Sequence, residues 1–312
     1  MLPAIMENFL LYLEGENKNE KTINSYRTNL KSFVEGVFNG EEPKNEAYDK
    51  LTVDDLMNWV EKLREENNLS ASTLNQRIAT IKKFYSYLVG IRVASNNVAQ
   101  NVGVIKSNEL YQRAVLTEGE VVTLVSTANK RTQECSKGYA RYSAYRDEMI
   151  INLFLCTGLR IEELSNIDLE DINFETRELK ILGKRGKRRV VVIPNSKMEM
   201  LHNYIEIRNS LKNSSLDDAL FLSRQRSENG YRLSTDQIRI VVVKIAKQAG
   251  VKTITPHSLR HTGATLQIKK GADIMDVSKW LGHSTVAITE KIYVHQTNMS
   301  ACRVADIFDG MF

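Results

Sequence analysis

Apolar positions in the first hundred residues recur with the spacing of helices rather than strands. Ile23, Tyr26, Leu30, Phe33, Val34 and Val37 succeed one another mostly at offsets of three and four, which lines one face of a 3.6-residue repeat. A second stripe comprises Leu74, Ile78, Ile81, Tyr85 and Leu88, with Ser70 placed to cap its start and Gly90 to end it. Between them, Thr52 followed three residues later by Asp55 has the form of a capping box and predicts another helix. These signals predict a small all-helical domain over residues 1–105. From Val93 to about Arg113 the periodicity is lost, and Ser95-Asn96-Asn97 and Asn108 supply turn formers, so an interdomain linker is expected there.

A second domain, residues 112–312, is expected to open at Leu116-Thr117-Glu118, where a threonine cap meets an acidic first turn. It reads as mainly α with one strand-rich patch. Glu178–Leu182 and Arg189–Ile193 are β-rich runs around the glycine-containing segment Gly183-Lys184-Arg185-Gly186-Lys187-Arg188, a hairpin signal stopped by Pro194. Further on, Thr255-Pro256 starts a helix that Gly271 ends, and a shorter helix from Asp273 to Trp280 ends at Gly282.

Composition narrows the class. An apolar fraction of 42% over 312 residues supports two cores, and runs such as Met149–Cys156 are too short to span a bilayer. The N-terminus lacks a basic region ahead of an apolar stretch, so a cytoplasmic protein is expected. Cys135, Cys156 and Cys302 lack metal-like spacing and cannot all pair, which fits free, mostly buried thiols in a reducing compartment. Residues 1–105 hold twelve basic and fourteen acidic side chains, and the remainder 31 against 24. The positive excess therefore lies in the larger domain, as a polyanion-binding protein or simply a solvated basic face would have it.

The candidate chemistry lies in that larger domain. Its helix beginning at Pro256 places His257, Arg260 and His261 at i, i+3 and i+4, so they share a face. His283 follows the helix-ending Gly282, and Tyr293 lies ten residues beyond His283. A zinc site of the metalloprotease kind is excluded, because Ser258 stands where the glutamate would be and no third ligand is evident. Nor is the Gly183–Lys187 turn a nucleotide-binding phosphate loop, since the glycine spacing is wrong and no helix follows. What fits is attack by a tyrosine on a phosphodiester. A phenol with a pKa of about 10 needs a base or cationic surroundings to act as a nucleophile. Guanidinium forks match the phosphate oxygens, and Arg160 and Arg260 supply two. The departing 5′-alkoxide needs a proton, for which Lys184 in the hairpin turn is the choice and Lys187 the competitor. His202 and His295 read as structural or exposed.

Taken in order, Thr157-Gly158-Leu159-Arg160 with Glu163, Lys184, His257-Ser258-Leu259-Arg260, Leu281-Gly282-His283 and Tyr293 resemble the active-site motifs of tyrosine recombinases, the phage integrase family. The resemblance is strong over residues 112–295 and rests on helical pattern alone over residues 1–105. It implies a helical core-binding (SAM-like) domain and a mixed α/β catalytic domain that together clamp double-stranded DNA. In that scheme Tyr293 forms a 3′-phosphotyrosyl link, and Arg160, Arg260 and His283 stabilise the transition state. His257 assists deprotonation, Lys184 protonates the leaving oxygen and Glu163 orients its neighbours, with no metal or other cofactor and no ATP. The step from His283 to Tyr293 is one residue longer than in the commonest members. Arg27, Lys31, Arg77, Lys82 and Lys83, off the apolar stripes, and Lys187 and Arg188 in the hairpin become candidate DNA contacts, or a solvated face.

The apolar tail residues Val304, Ile307, Phe308 and Met311 pack either in cis or into a neighbouring protomer of a dimer or tetramer on DNA. With helices starting almost at residue 1, short inverted core sites are the expected targets. The rival readings are a DNA-binding repressor that uses this fold without catalysis, and a type IB-like topoisomerase.

Overall fold

The computed structural model describes residues 2–67, 69–106, 115–183, 186, 188–210, 218–223, 230–282 and 285. The chain divides into two compact units, residues 1–111 and residues 112–312. In the first unit five helices are formed: α1 (Ala4–Gly15), α2 (Glu20–Val37), α3 (Asn45–Lys50), α4 (Val53–Asn67) and α5 (Ala71–Gly90). Caps set the starts of three of them. Asn19 accepts from the Thr22 N–H at 2.8 Å, Ser70 from the Thr73 N–H at 3.2 Å, and Thr52 and Asp55 exchange bonds at the head of α4. The foreseen stripes face inward, with Leu30, Phe33 and Leu88 fully buried among Phe9, Tyr48 and Phe84. A buried Asn29–Thr80 hydrogen bond of 2.8 Å joins α2 to α5.

Two features of this unit leave little trace in the hydrophobic periodicity. Helix α1 buries Met6, Phe9, Leu10 and Leu13, but Leu11 and Tyr12 are exposed between them, which blurs the stripe in sequence. The stretch expected to be linker is packed in its first half. Ala94, Ala99 and Val102 belong to the core, Val98–Asn101 forms a 3₁₀ turn, and the Asn75 side chain clasps both the N–H and the carbonyl of Ile105 at 2.9 Å. Burial here comes through side-chain hydrogen bonds and small residues rather than a repeating stripe, so periodicity could not reveal it.

The second unit contains α6 (Glu118–Glu134), α7 (Gly138–Thr157), α8 (Ile161–Ser165), α9 (Asn195–Ser210), α10 (Thr235–Gln248), α11 (Pro256–Lys269) and α12 (Ile274–Leu281). Thr117 and Glu120 form a capping box on α6, and Thr255 with Ser258 forms one on α11, where Pro256 occupies the first turn. The centre is α7, whose Met149, Ile150, Ile151, Leu153 and Phe154 are wholly buried. Its Asp147, also buried, is matched by Arg146 at 2.9 Å, Arg131 at 3.3 Å and Lys244 at 3.5 Å, which offsets the cost of a desolvated carboxylate. Gly263 of α11 lies so close to the Leu155 carbonyl that an added methyl would overlap it, and this sets the tight α7–α11 packing.

The hairpin forms as β2 (Glu178–Leu182) against β3 (Arg188–Val192), with Leu182 opposite Arg188 and Ile181 opposite Arg189. A short strand β1 (Ile172–Asn173) extends it to three strands, and β4 (Leu222–Ser223) pairs with β5 (Tyr231–Arg232) separately. The strand content thus exceeds the single expected patch, because two-residue strands carry no period. Cys135 and Cys156 are partly exposed as residues, although the Cys156 thiol itself is desolvated by burial, and Cys302 lies outside the described residues. Among the described residues no helix is long and apolar enough to cross a membrane.

Candidate active site

Helix α7 stops at Gly158, whose φ of +59° is a left-handed helix cap that a side chain would strain. The ring of Trp280 occupies the space beside it, and a Cβ on Gly158 would come within 2.5 Å of that ring. The chain then turns so that Arg160 is the N-cap of α8. Its backbone N–H donates to Glu163 Oε2 at 2.8 Å and its Nη1 to Oε1 at 2.8 Å. The Glu163 side chain is 4% exposed and receives a second guanidinium from β3, with Arg189 Nη1 donating to Oε1 at 2.6 Å and Nη2 to Oε2 at 2.8 Å. Burial alone would raise the Glu163 pKa, but the Arg189 hydrogen bonds and the Arg160 N–H, with the charge of Arg189, hold it down to about 2.

Arg260 sits within α11 at 1% exposure. Its Nη1 donates to the Gly158 carbonyl and its Nη2 to the Leu281 carbonyl at 2.6 Å. Those acceptors are the end of α7 and the end of α12, where helix carbonyls lack intrahelical donors. Arg160 completes the same junction, with Nη2 donating to the Gly282 carbonyl at 3.2 Å. Gly282 itself has φ +64°, a left-handed cap that closes α12. The structure therefore draws Arg160, Glu163, Arg260 and the Leu281-Gly282 turn together from three separate stretches of sequence. Arg160, at 40% side-chain exposure, is the guanidinium that opens to solvent.

His257 is exposed at the head of α11, and His261, one turn on, is 2% exposed. Their Nε2 atoms are 3.1 Å apart with the rings edge to face, so one nitrogen donates and the other accepts. His202 pairs with Glu206 at 3.8 Å and meets the edge of Phe174. Lys184, Lys187, His283, Tyr293, His295 and the apolar tail lie outside the described residues. Arg188 is exposed on β3. In the first unit Arg27 pairs with Glu7, Lys31 with Glu35 at 3.9 Å and Lys83 with Glu16 at 2.6 Å. Arg77 donates to the Ser32 hydroxyl, its pKa lowered by burial, and Lys82 is half-buried.

Sequence reasoning missed Arg189 and the Gly158–Trp280 contact. A signal for Arg189 existed, since it shares with Val191 the inward face of β3, where an apolar residue is the usual occupant. Among the described residues no group of three His, Cys, Asp or Glu side chains is placed to hold a metal ion.

Of the two units, the second holds Arg160 and Arg189 on a buried Glu163 beside the buried Arg260, and comparison with known proteins gives the class of this site. Residues 114–299 match the phage integrase family and residues 6–90 its N-terminal SAM-like domain. The chain belongs to the phage integrase family of site-specific tyrosine recombinases. It is 30% identical over 300 residues to a tyrosine recombinase XerD from Staphylococcus saprophyticus, covering 94% of each chain. A tyrosine recombinase XerC from Herpetosiphon aurantiacus is 29% identical over 96% of this chain and 92% of its own. The fold is shared with XerH site-specific recombinase in its post-cleavage complex with a palindromic difH substrate, with a TM-score of 0.73 at 20% identity over 97% of this chain and 84% of that one. It is shared equally with the Tn1549 transposon integrase in complex with a circular intermediate DNA, with a TM-score of 0.73 at 18% identity over 97% and 99%.

Proposed function

We propose that this chain cleaves and rejoins double-stranded DNA at short inverted core sites, with Tyr293 as nucleophile and Arg160, Lys184, His257, Arg260 and His283 as the catalytic set. The phenolic oxygen attacks phosphorus while its proton passes to His257. As the new P–O bond forms, the bond to the 5′-oxygen breaks and that oxygen takes a proton from Lys184. Reversal by another strand's 5′-hydroxyl reseals the DNA, and since one phosphoester replaces another, no ATP is consumed.

The observation that supports this most is the convergence of Arg160 and Arg260 on the carbonyls of Gly158, Leu281 and Gly282. Arg160, fixed beside the residue that leads into His283 and open to solvent, offers what a developing pentavalent phosphorane needs, with Arg260 buried behind it, and one preorganised donor contributes about 3 kcal/mol to such a transition state. Glu163, ionised down to about pH 2, keeps the two arginines around it oriented across the physiological range. The protein works in the cytoplasm on nucleoid DNA, as a dimer or tetramer on its site with the C-terminal tail as the connecting element. Arg188 and Lys187, with the first unit's Arg27, Lys31, Arg77, Lys82 and Lys83, contact the backbone. Of these, Arg27, Lys31 and Lys83 first exchange their Glu7, Glu35 and Glu16 partners for phosphate.

A nicked suicide substrate carrying the chain's own site tests the proposal. Wild type is expected to accumulate a covalent DNA adduct while Tyr293→Phe binds without forming one. Specific binding by wild type with no adduct would instead establish a repressor.

A further inference from the structure

Arg189 is a charged group at the junction to which the proposed catalytic set gives no role. Its backbone belongs to β3, whose inward face otherwise carries Val191, and its guanidinium is nevertheless drawn inside. Two parallel bonds to Glu163, of 2.6 and 2.8 Å, form a fork on a carboxylate that Arg160 also holds. The Arg189 Nε is buried and has no hydrogen-bond partner among the described residues. The stem lies under Gly282, where an added Cβ would meet Arg189 Cδ and Nη1 at 3.1 Å. The contacts close a ring, from Arg189 to Glu163, to Arg160, to the Gly282 backbone and back to Arg189. β3 is thereby fastened to the start of α8 and to the Gly282 turn by a residue one position inside the start of the strand.

An ion pair this shielded is seldom there for stability alone, because an apolar residue of similar volume usually packs as well. Its specific yield is geometry. The fork fixes one register and one orientation of β3 against Arg160, which a methionine cannot do. We propose that Arg189 is a positioning residue for strand cleavage, fixing where the β2–β3 turn stands relative to Arg160 so that a lysine of that turn reaches the 5′-oxygen. The inference rests on the reading of the turn lysine as proton donor.

The test compares single-turnover cleavage of two suicide substrates, one ordinary and one with a 5′-phosphorothiolate, whose thiolate leaves without a proton. Wild type, Lys184→Ala, Lys187→Ala, Arg189→Met and Arg189→Lys are assayed as full-length protein, with site binding and urea unfolding measured for each. Removing a general acid costs about 10²–10⁴-fold, and Lys184→Ala is expected in that range on the ordinary substrate and near wild type on the phosphorothiolate. Arg189→Met is expected to remain folded and to bind the site, with a lower urea midpoint because Glu163 loses its main partner, to cleave the ordinary substrate at least tenfold slower, and to recover on the phosphorothiolate, with Arg189→Lys in between. Equal slowing on both substrates, wild-type cleavage of the ordinary one, or loss of folding in both Arg189 variants overturns the inference. Recovery of Arg189→Met with Lys187→Ala in place of Lys184→Ala keeps Arg189 in its role and moves the proton donor. Recovery of neither lysine variant overturns the donor reading itself, whatever Arg189 does.

Discussion

Glu163→Gln is the perturbation that most sharply separates a structural carboxylate from a decorative one. The carboxyl is buried, takes four hydrogen bonds and has its pKa lowered from 4.5 to about 2. A depressed folded-state pKa contributes stability that is complete above the unfolded value and is lost as pH falls through the folded one. With 4.5 in the unfolded chain and about 2 in the folded one, the contribution is roughly 3 kcal/mol at pH 7 and roughly 2 kcal/mol at pH 3.5. Glutamine keeps the volume and one acceptor but removes the charge, leaving two guanidiniums around a neutral amide.

The assay is urea unfolding in a Trp59→Phe background, so that Trp280, one of only two tryptophans and packed beside Gly158, reports on the second unit. At pH 7 Glu163→Gln is expected to lie about 3 kcal/mol below its parent, and the gap is expected to narrow by about 1 kcal/mol at pH 3.5. A gap that stays constant between those pH values, or no gap at pH 7, would refute the electrostatic account of the junction.

Two further outcomes follow from single contacts. Gly158→Ala forces a Cβ into a left-handed cap and against the Trp280 ring, so it is expected to lose about 1–3 kcal/mol in thermal or urea unfolding and to slow cleavage more than DNA binding. Burial pushes the Cys156 thiol up to about 12, so at pH 8 iodoacetamide should modify Cys156 far more slowly than an ordinary thiol, as read by peptide mapping of the native protein; rapid modification would contradict its environment.

Much of this site was legible in the sequence because local rules converge on it. Thr255-Pro256, Asp273 and Gly282 each announce a helix boundary by cap chemistry, and the structure starts or ends α11 and α12 at those residues. Glu163 entered the sequence reading only as a residue that the resemblance implies orients its neighbours; the N-cap position of Arg160, facing Glu163 across a single turn, is what the structure adds. The roles of Arg189 and Trp280 were not legible. Each depends on a partner more than twenty-five residues away, and neither a hairpin's inward arginine nor a tryptophan late in a short helix states which distant backbone it will cover. The same limit explains the packed stretch from Ala94 to Ile105, where Asn75 supplies from α5 the hydrogen bonds that the segment cannot make for itself.

The account stands on Tyr293 as the group that becomes joined to DNA. Trapping the wild-type adduct on a suicide substrate, digesting protein and DNA, and locating the modified peptide by mass spectrometry tests that directly. The expected result is a 3′-phosphonucleotide on the Tyr293 side chain and on no other tyrosine. A nucleotide attached at a different residue, or an adduct that persists in Tyr293→Phe, would contradict it.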